Sequence, residues 1–289
     1  MATSQGFVNW VCGPSLSNRY LAYLLQSEQD FIRTVAYGTT HKTLYYPDAK
    51  ALHVMIPSRD AQDRVVDILG ALDDKIAANR RIVDLLTDRS QAVVDAAAEG
   101  EVEMALDDVA TFHNSRRVPL SSQDREVRTG KVPYWGANGI LDMVDEAIFD
   151  DPLVLVGEDG SVVRENGRPF VHYVWGPTWV NNHAHVLTGK CVSTELLYYL
   201  IRTVDVAQFV TGAVQPKLSM GNLKRVGLTV PSAEHLQRVE REISAAQARI
   251  RLAEAESRTL AALRDTLLPP LMSGRLTVRD AESTLENVL

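Results

Sequence analysis

The sequence predicts an α+β protein in which a domain of short strands and helices is combined with two long helices that pair with each other. Three observations support this prediction: one internal repeat with a period of 174 residues, two long runs with the same heptad pattern, and short strand-like runs broken by turns between about 101 and 231. The period is far too long for a solenoid, so it indicates two copies of one module.

The two copies of the module align without a gap in two places. Gly38–Leu44 aligns with Gly212–Leu218, and Ile56–Ser58 aligns with Val230–Ser232. The pattern of each copy predicts a short helix, a turn with glycine, a strand, a proline and a long helix, in that order. The second copy has a much longer stretch before its proline than the first. The first module is therefore expected to be truncated on its N-terminal side, unless a partner supplies the rest.

Both long runs place their seam residues at alternating spacings of four and three, which is typical of a coiled coil. Because the same heptad positions recur at the repeat distance, we predict that the helices pair; two independent surface helices are the alternative. Asp60 and Ser232 are predicted to cap the N-termini. The seam positions are Val65, Leu69, Leu72, Ile76, Asn79, Val83 and Leu86 in the first helix, and Val239, Ile243, Ala246, Ile250, Ala253, Ser257 and Leu260 in the second.

The composition is that of an ordinary globular protein, with 45% apolar and 23% charged residues. The net charge of −7 argues weakly against nucleic acid, although the distribution of charge matters more. No leader-like segment follows Met1, and no apolar run reaches the roughly 18 residues of a membrane span. Cys12 and Cys191 are too few for a disulfide framework. We therefore expect a cytoplasmic protein that does not bind membranes.

Three short motifs that suggest metal chemistry are better interpreted as local structure. The pair His183 and His185 lacks the further ligands of a metal site. The stretch Pro47–Lys50 lacks the second acid of a nuclease and is predicted to be a plain connection before a strand. Gly157–Gly160 lacks the ligand series of an EF-hand. We predict a non-catalytic chain without a metal or a cofactor, and keep a metal-dependent nuclease as a distant alternative.

Five motifs in a fixed order then suggest a family. They are Tyr134–Ile140, Gly157–Gly160, Asn181–His185, Gly212–Leu218 and Leu263–Leu276. From about residue 16 onward, the chain resembles the DNA-specificity (S) subunit of type I restriction-modification systems. The resemblance implies two target recognition domains that alternate with two long helices paired antiparallel as a spacer. Relative to that pattern, most of the first recognition domain is expected to be missing.

The resemblance also implies a division of the chain and a function. The expected function is to bind double-stranded DNA and to direct methyltransferase and restriction subunits to a target site. A silent specificity-gene product that acts only as a protein-interaction scaffold is the alternative, and a second copy of the chain is left open as a partner. The expected segments are a partial first recognition domain at 1–58, a first spacer helix at 59–98, a complete second recognition domain at 99–231, a second spacer helix at 232–270 and a tail at 271–289.

The charges of the second recognition domain are unevenly distributed. Bases outnumber acids between Arg164 and Arg225, whereas acids concentrate between 141 and 159. Such a domain can present a basic face to phosphates although the chain is acidic on average; a solvated mixed surface is the alternative. Loop amides and guanidinium groups are the usual readers of bases. The candidate DNA-binding residues are Arg116, Arg117, Gln123, Arg128, Lys131, Asn138, Arg164 and Lys217.

Overall fold

The computed structural model describes residues 8–38, 42–97, 102–160, 162–212 and 214–286, with side chains described up to residue 283. It mixes helices and strands, which confirms the predicted α+β class. The helices are α1 (Asn18–Ser27), α2 (Gln29–Thr34), α3 (Tyr46–Lys50), α4 (Arg59–Ala96), α5 (Leu106–Val109), α6 (Ser122–Val127), α7 (Thr194–Ile201), α8 (Met220–Lys224), α9 (Ala233–Met272) and α10 (Val278–Glu286). The strands are β1 (Val102–Ala105), β2 (Ala110–Phe112), β3 (Thr129–Gly136), β4 (Gly139–Val144), β5 (Leu153–Gly157), β6 (Val171–Val174), β7 (Trp179–Val180), β8 (Ala184–Gly189) and β9 (Gly227–Val230).

Several features named from the sequence lie outside the described residues. These are the first seven residues of the expected partial domain, Thr39–His41 and Ala213 of the aligned repeat stretches, and the expected boundary at 98/99. None of the described helices has an apolar stretch long enough to cross a membrane.

The internal repeat is visible in the structure as well as in the sequence. Helix α3 becomes α8 after a shift of 174 residues, and the first residue of α4 becomes the first residue of α9. The antiparallel bridge between Tyr37 and Thr43 becomes the bridge between Thr211 and Lys217. The prediction that Pro47–Lys50 is a plain connection is wrong, because these residues lie in helix α3.

One element of the first copy also differs from its prediction. The counterpart of β9 is residues 53–56, which form no strand. In the second copy β9 pairs antiparallel with β1, so its backbone groups have partners. None of the described residues pairs in this way with 53–56, and a lone strand leaves its backbone groups unpaired. Residues 53–56 have the sequence pattern of a strand, but none of the described strands lies beside them to pair with them.

The chain divides into two compact units, one formed by residues 1–83 with 252–289 and the other by 84–251. Both long helices contribute to both units. In the first unit, Asp73 of α4 meets Arg264 of α9, and Lys75 meets Glu256. In the second unit, Val94 of α4 and Val239 of α9 share one apolar cluster. Asp73 precedes Lys75 on α4, whereas its partner Arg264 follows Glu256 on α9. The two helices therefore run antiparallel, as expected.

The predicted seam is the buried face of the helix pair. Leu69 is fully buried, as are Val239 and Ile243, and Ile76 and Ile250 are each 5% exposed. Val83 and Leu86 are only half-buried. The polar seam residue Asn79 is also buried, and its side-chain amide donates to Glu256 Oε2 over 2.7 Å. A hydrogen-bonded polar residue in such a seam typically fixes register at a cost in stability.

The N-terminal caps of the two helices are one repeat apart. Helix α4 begins at Arg59, so Asp60 lies inside its first turn and the prediction that Asp60 is the cap is wrong. Instead Ser58 Oγ accepts from the Ala61 N–H over 3.4 Å. Its repeat counterpart is Ser232, which directly precedes α9 and whose carbonyl accepts from the Leu236 N–H.

The first unit packs α1 against the antiparallel helix ends. Tyr20, Tyr23 and Leu24 of α1 share a cluster with the first part of the α4 seam and with Leu267, Leu268 and Leu271 near the end of α9. The chain beyond α9 returns to the same cluster, where Ala281 of α10 is fully buried. This unit is therefore built from both ends of the chain.

The described residues of the second unit form three antiparallel or mixed sheets, with strand orders β1-β9, β2-β8-β5-β6 and β4-β3-β7. Strand β5 is buried on both faces. Val154 and Val156 face a cluster with Leu196 and Leu197 of α7, whereas Leu153 and Leu155 face a cluster with Phe149. This alternation is what the two-residue period of a strand produces.

Helix α7 fixes the sheet layers to the long helices within this unit. The buried hydroxyl of Tyr199 accepts from Gln247 Nε2 of α9 over 3.0 Å, and Tyr199 shares an apolar cluster with Val94 of α4. Arg251 of α9 forms an ion pair with Glu195 of α7 at 3.2 Å. The sheets are thus attached to both helices through one short helix.

Candidate nucleic-acid interface

Three of the five sequence motifs meet in one place in the second unit. The Glu158 N–H donates to the His183 carbonyl, and the Leu218 N–H donates to the Glu158 carbonyl, each over 2.8 Å. Asp159 forms an antiparallel bridge with Lys217. We call the residues Arg117, Glu158, Asp159, His183, His185 and Lys217 the motif junction.

Glu158 is the centre of charge at the motif junction. Its carboxylate accepts from Arg117 Nη1 at 2.6 Å and lies 3.5 Å from Lys217 Nζ. The side chains of Arg117 and Glu158 are 13% and 14% exposed. Arg117 Nη1 also donates to the Ala184 carbonyl over 2.7 Å, and Arg117 Nε donates to the Asn114 carbonyl over 3.0 Å. Two of the three guanidinium nitrogens of Arg117, Nε and Nη1, are therefore held by partners inside the domain.

His185 is a buried, neutral member of the motif junction. Its Nε2 donates to the Leu218 carbonyl over 2.7 Å, which leaves Nδ1 to accept from Asn114 Nδ2 over 2.8 Å. Burial lowers the pKa of His185, and the nearby Arg117 and Lys217 cations act in the same direction. The hydrogen bond to the Leu218 carbonyl and the negative charge of Glu158 oppose this shift. The effect of burial on the pKa is the largest, because the charged ring would lose its hydration inside the protein.

We expect acid to destabilise the second unit through this ring. The folded-state pKa of His185 lies below the unfolded value of about 6.5, so unfolding takes up a proton at low pH. The stabilisation is fully present above about pH 6.5 and is lost as the pH falls through the lowered pKa. Burial also lowers the pKa of His113 and His172, which adds to the effect. Melting temperatures measured between pH 7 and pH 5 should fall in the native protein.

The variant that isolates His185 is His185→Gln, which removes the titrating group. Its melting temperature should be lower at pH 7 but should depend less on pH than that of the native protein. His53→Gln, at an exposed position of the first unit, is the control and should keep the native pH dependence. An unchanged pH dependence in His185→Gln would contradict a neutral buried ring.

The two histidines of the motif junction face different partners. His183 Nδ1 contacts Asp159, and the His183 N–H donates to Asn181 Oδ1, whereas the His185 ring binds Asn114 and Leu218. Within the described ranges, no three His, Cys, Asp or Glu side chains are grouped so as to hold a metal ion.

Two further candidate cations are also held by internal contacts. Arg128 forms ion pairs with Asp145 at 3.0 Å and Glu146 at 2.6 Å, and its guanidinium lies over the Trp179 ring. Arg116 Nη2 donates to the Ile148 carbonyl over 2.7 Å, and its guanidinium lies over the Phe149 ring. These arginines connect α6 and the neighbouring loop to the β4 region.

Three other candidates are exposed on one layer of the domain. Gln123 lies on α6, Lys131 lies on β3, and Asn138 lies in the turn between β3 and β4. Helix α6 belongs to the same layer because Arg125 Nε donates to Asp142 of β4 over 3.0 Å. Gly139 ends this turn with a φ of 144°, a conformation that side-chain-bearing residues rarely adopt. We call Gln123, Lys131 and Asn138 the exposed layer.

Exposed apolar residues accompany the exposed layer, and sequence reasoning did not single them out. Ile140 and Leu141 of β4 are 53% and 59% exposed. A signal for them existed, because Ile140–Met143 does not alternate cleanly between apolar and polar residues. Arg164, the last candidate, lies apart on the turn before β6, with its guanidinium over the Phe170 ring.

This geometry can be compared with known proteins. The sequence model of the family described as "Type I restriction modification DNA specificity domain" matches residues 1–87 and 99–253, which is most of the chain. The fold, two module copies on an antiparallel helix pair, defines the same class. This chain belongs to the type I restriction-modification DNA specificity family.

Two relatives and one solved structure are similar to this chain. A Haemophilus influenzae protein with the provisional name type I restriction enzyme specificity subunit S.HindORF215P is 34% identical over 127 residues. The type I restriction enzyme MjaIX specificity subunit of Methanocaldococcus jannaschii is 20% identical over 97% of this chain and 74% of its own length. The crystal structure of a type I S subunit from M. genitalium has a TM-score of 0.56 at 18% identity and covers 89% of this chain and 73% of that one.

The extent of these matches differs. The match to the H. influenzae protein covers 44% of this chain and 32% of that protein. The likeness to the M. genitalium structure supports the fold, including the antiparallel helix pair.

Proposed function

We propose that this chain is the non-catalytic, sequence-reading subunit of a type I restriction-modification complex, which positions methyltransferase and restriction subunits on double-stranded DNA. The observation that carries the proposal is the match of one DNA-specificity family to both module copies, 1–87 and 99–253. The antiparallel helix pair then acts as a spacer. Catalysis would belong to the partner subunits.

Within this function we divide seven of the eight candidate residues, all except Arg164, into two groups. Arg116, Arg117, Arg128 and Lys217 have internal partners, so we propose that they order the domain rather than read bases. The exposed layer has polar groups available to DNA on neighbouring elements. Asn138, in an exposed turn, suits base contact, whereas Lys131 suits a phosphate. We therefore propose that residues 99–231 form the reading domain, with the exposed layer toward DNA.

A protein-interaction scaffold without DNA reading is the second candidate. It is favoured by the same internal contacts, because four of the eight candidates predicted from sequence are engaged within the domain. A scaffold would assemble with methyltransferase subunits through the helix pair and show no preference among duplexes.

The test is a salt-titrated DNA-binding series on the complex assembled with its methyltransferase partners. Lys131→Gln should weaken binding to all duplexes and reduce the salt slope by about 0.9, because one phosphate contact is lost. Asn138→Ala should keep the salt slope and relax preference at one position by roughly 1–3 kcal/mol. Lys190→Gln removes the same charge elsewhere in the second unit and is the control for Lys131→Gln.

The outcomes separate the two candidates. Co-purification with methyltransferase subunits and a methylated motif in genomic DNA would support the reading function. Equal affinity for random and motif duplexes at every salt concentration would exclude it and leave the scaffold.

A further inference from the structure

A cleft in the second unit collects three arginines that the motif junction does not use. It has a volume of about 380 Å³ and lies between the last turns of α4, the turn before β6 and the end of α7. Its walls include Arg164, Arg168 and Arg202 on one side and Asp88, Gln91 and Asp95 of α4 on the other. We call it the arginine cleft.

The turn that carries two of these arginines is fixed by its own backbone. The Arg164 N–H donates to the Arg168 carbonyl over 2.8 Å, and the Gly167 N–H donates to the Arg164 carbonyl over 3.0 Å. Gly167 has a φ of 80°, and a Cβ there would lie 2.5 Å from Asp205 Oδ1, so only glycine suits this position. The Val206 N–H donates to the Gly167 carbonyl over 2.9 Å, which ties the turn to the chain after α7. Arg164 and Arg168 are thereby held near Arg202.

The three guanidiniums lack anionic partners. Among the described residues, none of them lies within 4.0 Å of a carboxylate oxygen, unlike Arg117 and Arg128. Aromatic rings position two of them, since Arg164 lies over Phe170 and Arg202 lies over Tyr198. Arg202 Nη1 is buried and has no hydrogen-bond partner within the described part of the chain. A buried charged donor without a partner is costly, so it indicates a missing acceptor.

The acids on the opposite wall do not supply that acceptor. Asp95 Oδ1 already accepts from Gln91 Nε2 over 2.8 Å, and neither Asp88 nor Asp95 pairs with the arginines. Three guanidiniums against two carboxylates leave the cleft with an excess of positive charge at the arginine wall. Two or more guanidinium forks that converge on one space match the oxygens of a phosphate group.

We propose that the arginine cleft binds a phosphate group. The phosphate belongs either to the backbone of bound DNA or to a free phosphate compound, since both present the same oxygens. Only the DNA source rests on the proposed function. The site is separate from the exposed layer, so it would add affinity rather than base preference.

The first arm of the test uses inorganic phosphate on the full chain at fixed ionic strength, with binding measured by calorimetry. The native protein should bind phosphate more tightly than it binds chloride. Arg202→Gln and the double variant Arg164→Gln/Arg168→Gln should each weaken phosphate binding by at least about tenfold, because charge-assisted hydrogen bonds are lost. Arg225→Gln, an exposed arginine that donates to Asn222 Oδ1, is the control and should bind as the native protein does.

The double variant keeps the test valid even if Arg202→Gln fails to fold, because Arg164 and Arg168 are both exposed. No phosphate binding by the native protein, or equal binding by the double variant, would overturn the proposal.

The second arm uses duplex DNA and the assembled complex. If the phosphate is that of the DNA backbone, the double variant should reduce the salt slope by about 0.9, because the contact with one phosphate is lost, without changing sequence preference. Lost phosphate binding with an unchanged slope would support the cleft and assign it to a free phosphate compound. A complex that does not bind DNA would refute the proposed function and leave the first arm to decide on the cleft.

Discussion

Replacing Ile76 or Ile250 by aspartate should destabilise the protein by at least about 3 kcal/mol, the largest loss that we expect from a single change in the helix pair. Both side chains are 5% exposed, so the substitution removes apolar contacts and places a carboxylate where water cannot reach it. Ile76 lies in the first unit and Ile250 in the second, so each variant tests one half of the pair. Thermal melts followed by circular dichroism measure the effect.

Matched controls are available on the same helices. Leu85 of α4 is 69% exposed and Leu252 of α9 is 62% exposed. Leu85→Asp and Leu252→Asp introduce the same charge on the outer face and should change stability by no more than about 0.5 kcal/mol. Seam variants that melt like these controls would refute the pairing of the helices.

The second large effect is expected at the motif junction. Glu158→Ala leaves Arg117 with a nearly buried charge and no carboxylate, which typically costs about 3–5 kcal/mol. Lys217 loses the same ion-pair partner. The backbone hydrogen bonds from Glu158 to His183 and from Leu218 to Glu158 remain, but the side-chain contacts beside them are lost. Urea titration followed by tryptophan fluorescence reports on this unit, because three of the four tryptophans, Trp135, Trp175 and Trp179, lie in it.

The control for this prediction is Glu146→Ala. Glu146 also forms an ion pair with an arginine at 2.6 Å, but its side chain is 65% exposed. Water replaces the lost partner there, so the expected change is below about 1 kcal/mol. If both variants lost the same stability, the burial of the Arg117–Glu158 pair would not be what makes it important.

Periodicity explains why the helix pair was predictable from sequence. A seam needs only its own spacing to be recognised, and the recurrence of Val65 and Leu69 as Val239 and Ile243 one repeat later identified the partner helix. The absence of a strand at residues 53–56 was not predictable in the same way. The sequence of a strand describes one side of a ladder, and the presence of its neighbour is a property of the fold.

The candidate site was predictable in its motifs but not in their roles. The candidates predicted from sequence included Arg117, which lies in none of the ordered motifs, and Lys217, which lies in one of them. The structure places both at one carboxylate, Glu158. Arg117 and Glu158 are 41 residues apart, and no local pattern relates them. Pairing of charges across such a separation removes an arginine from the surface, and only coordinates reveal it. Arg168 and Arg202 were not predicted either, because the absence of a carboxylate beside them, among the described residues, is a property of their neighbours in space and not of the local sequence.

The division of the chain into units has a consequence for its synthesis. The second unit is one continuous stretch, 84–251, whereas the first needs both 1–83 and 252–289. During translation, Val65 and Leu69 therefore leave the ribosome long before their cluster partners Leu260 and Leu267 have been synthesised. Domains usually complete in the order in which they are made; here the order is reversed, and the N-terminal seam must wait, apolar and uncovered, for the last part of the chain. Nascent or prematurely ended products would thus be the forms most dependent on chaperones.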